Sequence, residues 1–255
     1  MDPMQGTLLF AAGLLTGAFN AAAGGGSLIG FSALITAGVP PLTAKLTSTV
    51  TVLPGNVASV AGGYRDLPAR REATRILPAA VLGGIAGSLL LLQTPTRIFD
   101  AIVPFLVLAA SAVLGLQHRL AKLVERPAIN CRREHPATLQ ALVAASGVYG
   151  GYIGAGFGIV LLASLTLLRQ ETLNRTVVLK NLLAAAVSLT TAALYVLFGT
   201  INWTGVAILA PATVIGGYGG ARLLRKFPPA LLKGIIVAYG VTFGLVLLGQ
   251  NVLQH

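Results

Sequence analysis

Charge is what this sequence lacks most. Only 10% of its 255 residues are Asp, Glu, Lys or Arg, against about 25% in a soluble globular domain. So few charges cannot cover a water-facing surface. That excludes a soluble enzyme, a disordered chain and a nucleic-acid-binding domain, and no nucleic acid is expected as a partner. Acidic residues are scarcest, 7 against 18 basic ones, for a net charge of +11. Cysteine occurs once, at Cys131, which excludes an intramolecular disulfide and a cysteine-based metal site. Histidine occurs three times, at His118, His135 and His255, never inside an apolar run. A carrier of metal cations needs carboxylates, histidines or cysteines within its spans. Of the acidic residues only Asp100 falls within one, near its start. An intramembrane enzyme needs a nucleophile with a base, or a metal triad. Neither pattern is present, so no catalytic residue, metal or cofactor is expected. The opening Met-Asp-Pro-Met-Gln lacks the basic region of a cleavable signal, so the first apolar run is expected to be retained.

What the sequence does have is apolar length. It is 55% hydrophobic, with a mean hydropathy of +0.82. The apolar runs are unbroken rather than alternating, which reads as membrane helices and not as a β-barrel. They cover 7–23, 26–37, 44–63, 76–92 and 98–117, then, after a basic stretch at 118–137, 139–154, 157–168, 177–198, 203–221 and 231–249. A full span takes about 20 apolar residues. The first two runs of each half are short and divided by glycines, so the number of spans stays open between six and ten.

The two halves repeat. Placing Pro78 on Pro211, 133 positions later, also places Gly83-Gly84 on Gly216-Gly217 and Gly87 on Gly220. A register of 132 places Gly24-Gly25-Gly26 on Gly156-Phe157-Gly158, and Ser48-Thr49 on Lys180-Asn181. The expected organisation is an N-terminal repeat at 1–117, a basic linker at 118–137 and a C-terminal repeat at 138–255. Charge orients them. Fifteen basic residues fall in the loops after 63, 117, 168 and 221, two (Lys45 and Arg97) in the others, and Lys180 lies inside a run. Positive charge holds loops in the cytoplasm. The partition is consistent only if each half crosses an odd number of times. The second half is then inverted, the linker is cytoplasmic and both termini lie outside. The fold class expected is an all-α polytopic membrane protein of two inverted repeats, each of about five segments, an architecture many secondary transporters use.

Several ordered motifs resemble the TauE/SafE sulfite exporter family. Gly147-Val-Tyr-Gly-Gly-Tyr-Ile-Gly-Ala-Gly-Phe-Gly158 is similar to its second-repeat glycine motif. Leu179-Lys180-Asn181, Phe198-Gly-Thr-Ile-Asn-Trp203 and Gly216-Gly-Tyr-Gly-Gly-Ala221 follow in family order. In the first half, Ala23-Gly-Gly-Gly-Ser27 and Ala44-Lys-Leu-Thr-Ser48 match more loosely, with Ala22 where the family usually has glycine. The resemblance spans nearly the whole chain. It implies a multi-pass carrier of small anions in the cytoplasmic membrane, with sulfite or related sulfur-containing or organosulfonate anions as substrate.

The candidate binding residues sit where the runs break. Gly24, Gly25 and Gly26, and Gly154, Gly156 and Gly158, interrupt the chain at matching places. Glycine costs about 1 kcal/mol in a helix relative to alanine, so clusters favour a break. Breaks free N–H groups that attract anions, and paired interruptions point to a transporter site. Close helix packing is the competing reading; it is preferred for Gly150-Gly151 and Gly216-Gly217. A glycine-rich nucleotide loop needs a strand-flanked soluble unit, which is missing.

Lys180 costs about 2.5–3.5 kcal/mol at a span centre, and with Asn181 beside it could pair with an anion. The competing reading is snorkelling to a nearby end. Ser48, Thr49 and Asn20 supply uncharged donors, with helix-to-helix hydrogen bonding as the alternative. Tyr64, Tyr195 and Trp203 read as an aromatic belt at the membrane interface. The partners expected are a small anion and the lipid bilayer, with homo-oligomerisation left open. A passive anion channel and a non-transporting membrane scaffold or assembly subunit are the alternative functions.

Overall fold

The computed structural model describes residues 3–22, 25–62, 67, 70–124, 136–168, 173–220 and 229–253. Gly24, Tyr64, Arg65, Arg169 and His255 lie outside the described residues. So do 125–135, with Cys131, His135 and the central linker arginines, and 221–228, with Arg222, Arg225 and Lys226.

Every predicted apolar run is helical, and no strand occurs among the described residues. The first half contains α1 (Pro3–Ala22), α2 (Ser27–Thr36), α3 (Pro41–Gly62), α4 (Arg70–Gln93) and α5 (Thr96–Val124). The second contains α6 (Pro136–Tyr152), α7 (Phe157–Leu168), α8 (Leu173–Phe198), α9 (Trp203–Ile215) and α10 (Pro229–Leu253). A five-residue π-helical turn, Gly216–Gly220, continues α9. The ends follow local chemistry. Prolines open α1, α3, α6 and α10, where a missing N–H is harmless. Asn202 caps α9, its side chain accepting from Gly205 N at 2.9 Å. Gly38, at φ +85°, ends α2, with Val39 N bonded back to Leu34 O at 3.0 Å.

Several boundaries differ from the sequence reading. α4 begins at Arg70 and α8 at Leu173, so Arg70, Arg71, Arg75 and Arg175, counted as loop residues, lie in the first turns of helices, and Arg97 and Lys233 likewise lie within α5 and α10. α5 continues through 118–124 and α6 begins at Pro136, so helix takes up both ends of the basic stretch 118–137. Residues 118–124 contain neither glycine nor proline, and nothing there stops a helix. Lys45, counted among the loop charges although it falls in the run 44–63, lies inside α3, which Pro41 opens.

The helices pair by a rule that survives exchange of the halves. α4 packs along α6 as α1 packs along α9. α4 meets α8 as α3 meets α9, while α3 lies on α8 and α5 on α10. Glycines make the first two seams. A Cβ at Gly83, Gly87, Gly147 or Gly151 would run into the opposing backbone of α4 or α6. Gly17 and Gly216 stand in the same relation across α1 and α9, and Gly217 lies against Gly55 O of α3. The packing assigned to Gly151 and to Gly216-Gly217 is borne out; Gly150 instead makes room for the Phe157 ring.

The exterior is apolar and much of the interior polar. Leu82, Phe105, Leu197, Phe198 and Trp203 are all at least 60% exposed. Thr47, Ser48, Thr51, Asn56, Ser88 and Thr213 are buried. A molecule soluble in water has the reverse arrangement. Among the described residues, Ala73–Gln93 and Arg175–Phe198 are each long and apolar enough to cross a bilayer alone; α2 and α7 are short apolar helices. Tyr195 corrects the expectation of an aromatic belt. It is fully buried, and its hydroxyl donates to Gly151 O, so it belongs to the core.

Candidate functional site

A cavity opens between the two helix breaks. Its empty space, with the open solvent at its mouth counted in, is about 820 Å³. α3 supplies one wall through Lys45, Ser48, Thr49, Val52 and Asn56, and α8 another through Lys180, Ala184, Val187, Ser188 and Thr191. Both sets follow the three- and four-residue spacing of one helix face. α5 closes a third side with Phe99, Val103, Leu106 and Val107, which offer no side-chain donors. Asn20 and Ser27 line it from the first break, and Gly154, Ala155 and Gly158 from the second.

The two breaks are built differently. Gly154 and Gly156 both have φ of +72°, the left-handed region that side chains disfavour. They turn the chain from α6 to α7. At the first break Gly26 has an ordinary φ of −63°. It is needed for proximity, since a Cβ there would strike Thr16 O of α1. Ser27 Oγ joins the breaks by donating to Gly154 O at 3.1 Å.

Two buried lysines face this cavity, and each reaches the break of the other half. Lys180, 1% exposed, lies about two turns into α8. Its Nζ donates to Asn20 O at 3.2 Å. It does not snorkel to the helix end; the cation turns inward. Lys45, 5% exposed, donates from Nζ to Thr49 Oγ1 at 2.9 Å. It also stands 5.6 Å from the centre of the Tyr195 ring, close enough for a cation–π contact. A Cβ on Gly154 would lie 2.6 Å from Lys45 Nζ. The glycine thus holds space for the ammonium. Among the described residues, no carboxylate lines the cavity. Beside the lysines, Asn20 Nδ2 donates to Asn56 Oδ1 at 2.6 Å, and Asn56 Nδ2 to Ser188 Oγ at 3.0 Å.

The structure brings together six of the sequence-predicted residues, Asn20, Ser48, Thr49, Lys180, Gly154 and Gly158. Asn181, Gly25 and Gly26 are buried but do not line the cavity, and neither does Gly156. Gly24 lies outside the described residues. Sequence reasoning missed Lys45, Ser27, Ser188 and Thr191 as wall residues. Lys45 had a signal: it falls on one helix stripe with Ser48, Thr49, Val52 and Asn56.

Among the described residues, an all-helical body with an apolar exterior and a partly cationic internal cavity defines a multi-pass membrane protein. A family model described as sulfite exporter TauE/SafE matches residues 9–247, and the chain belongs to that family. Similar proteins include probable membrane transporter protein ORF9 of a Sinorhizobium species, 25% identical over 95% of this chain and 92% of that protein. A probable membrane transporter protein of Haemophilus influenzae is 25% identical over 90% of this chain and 89% of its own length. Probable membrane transporter protein YfcA of Escherichia coli K12 is 24% identical over 100% of this chain and 95% of its own length. No solved structure matches the chain. It is a membrane transporter, and its substrate is a small molecule.

Proposed function

We propose that the protein is a secondary carrier of small anions in the cytoplasmic membrane, with sulfite or a related sulfur-containing anion as substrate. One observation carries this reading. Lys180 is buried in a cavity wall at a helix break, hydrogen-bonded to a neutral main-chain oxygen and, among the described residues, with no carboxylate lining the cavity. A buried ammonium with so little compensation is expensive, and an anion in the cavity supplies the missing charge. Ser48, Thr49 and Asn20 add uncharged donors. The family description supports sulfite.

Transport follows from the halves working as inverted repeats. The pairing rule that survives their exchange and the distribution of basic residues between loops both support that topology. The linker is then cytoplasmic and the termini outside. Rocking one half against the other would expose the cavity to each side in turn. The protein acts without covalent chemistry on its substrate.

The test is uptake of radiolabelled sulfite into proteoliposomes, with thiosulfate and sulfate as competitors, with and without a pH gradient. Saturable flux that thiosulfate blocks is expected. Flux that never exceeds equilibrium under any gradient would make the protein a channel instead. Absence of sulfite flux in folded protein would end the sulfite reading.

A further inference from the structure

We infer that the site is built for a doubly charged anion, with Lys45 as the second binding cation opposite Lys180. The inference rests on the anion-carrier reading and adds to it the charge of the substrate and the residue that selects it.

Lys45 and Lys180 come from different halves, and both line the same cavity almost fully buried. Each ammonium has three N–H donors. Among the described residues each uses one, Lys45 on Thr49 Oγ1 and Lys180 on Asn20 O, both neutral oxygens. The remaining donors of two cations share a space walled on its third side by apolar α5. A single negative charge would leave one cation uncompensated in that low-dielectric space; two negative charges neutralise both.

The surroundings of Lys45 are shaped to keep it there. The Tyr195 ring lies beside the ammonium, and the tyrosine hydroxyl is tied to Gly151 O. A Cβ on Gly154 would come within 2.6 Å of the ammonium, so the bare glycine lets Lys45 reach the second break without shifting. A lysine that merely packed its stem would need neither. Because each lysine also sits at the other half's break, a dianion held by both would join the halves.

Isothermal titration of purified protein tests this with matched pairs: sulfate against methanesulfonate, and 1,2-ethanedisulfonate against ethanesulfonate. The first pair probes compact anions and the second a two-ended one. In wild type the dianion of at least one pair should bind about tenfold or more tighter, the scale of one added charge-assisted contact. Lys45→Gln should bring that ratio close to one. Lys180→Gln should also collapse the ratio, and Lys45→Arg should retain it. Equal wild-type affinity for mono- and dianions, or an unchanged ratio in Lys45→Gln, would overturn the inference while leaving an anion carrier standing. Failure of every anion to bind folded wild-type protein would overturn the anion reading and this inference together. If Lys45→Gln does not fold, the wild-type ratio and the Lys45→Arg variant still decide.

Discussion

Lys180 Nζ donates a 3.2 Å hydrogen bond to the main-chain oxygen of Asn20. The two residues are 160 positions apart, one on α8 and one near the end of α1, so the contact crosses from the second half to the first. Lys45 on α3 makes the reciprocal approach to Gly154 between α6 and α7. Each break in the chain is thus met by a cation from the opposite half.

Replacing Lys180 by Gln should abolish most anion flux. Losing a hydrogen bond to a charged group costs about 1.5–3 kcal/mol, so affinity should fall about tenfold or more. Flux assays in proteoliposomes, with folding of the purified variant verified by size-exclusion chromatography, check this. Normal flux would remove Lys180 from the site.

Gly154 and Gly156 share a φ of +72° but not the same surroundings. A Cβ on Gly154 meets Lys45 Nζ at 2.6 Å, whereas on Gly156 its nearest neighbours are 3.9 Å away. Both alanine variants should lose about 1–2 kcal/mol from the left-handed backbone. Only Gly154→Ala should also weaken anion binding. Melting temperatures and titrations of the two variants separate these effects.

The α4–α6 and α1–α9 seams should tolerate no bulk. Gly83→Leu and Gly216→Leu push side chains into the main chain of Ala144 and Leu14, and overpacking costs about 1–3 kcal/mol or more. Gly219, with nothing within 4 Å of a Cβ, serves as the control, and Gly219→Ala should leave the melting temperature unchanged. Equal behaviour of all three would disprove the close-packed seams.

Asn56 links Asn20 to Ser188. Its replacement by Ala should destabilise by about 0.6–1.7 kcal/mol, the range for hydrogen bonds between membrane helices. A double-mutant cycle with Ser188→Ala measures the coupling. Additive effects would show that the Asn56–Ser188 bond contributes nothing.

Tags in the 118–137 linker and at the C-terminus should report opposite sides of the membrane. Accessibility labelling from one side decides it. The same side for both would contradict an odd number of crossings per half and remove the inverted topology from the proposed mechanism.

Element placement was legible in the sequence because helices in an apolar chain are interrupted by local chemistry. The glycines at 24–26 and 154–158 and the proline at 41 mark breaks and starts that packing does not override. Pro136 marks another, but residues 118–124 carry charge without a helix breaker, so polarity misplaced the end of α5. Trp203 stands exposed as an interface residue should. Tyr195 does not, because one face of α8 is turned to the core, and composition cannot tell one face from another.

The sequence by itself determined the membrane class, the ten apolar segments, their repetition and the place of Lys180 inside one of them, since these follow from hydropathy, glycine spacing and the rarity of charge in a span. Only the tertiary structure decided that Lys45 joins Lys180 at one cavity, that Gly26 is needed for proximity and Gly154 for its backbone angle, and that Gly25 and Asn181 stand outside the wall. Those depend on how helices from opposite halves cross, and contacts between residues more than a hundred positions apart leave no local pattern to read.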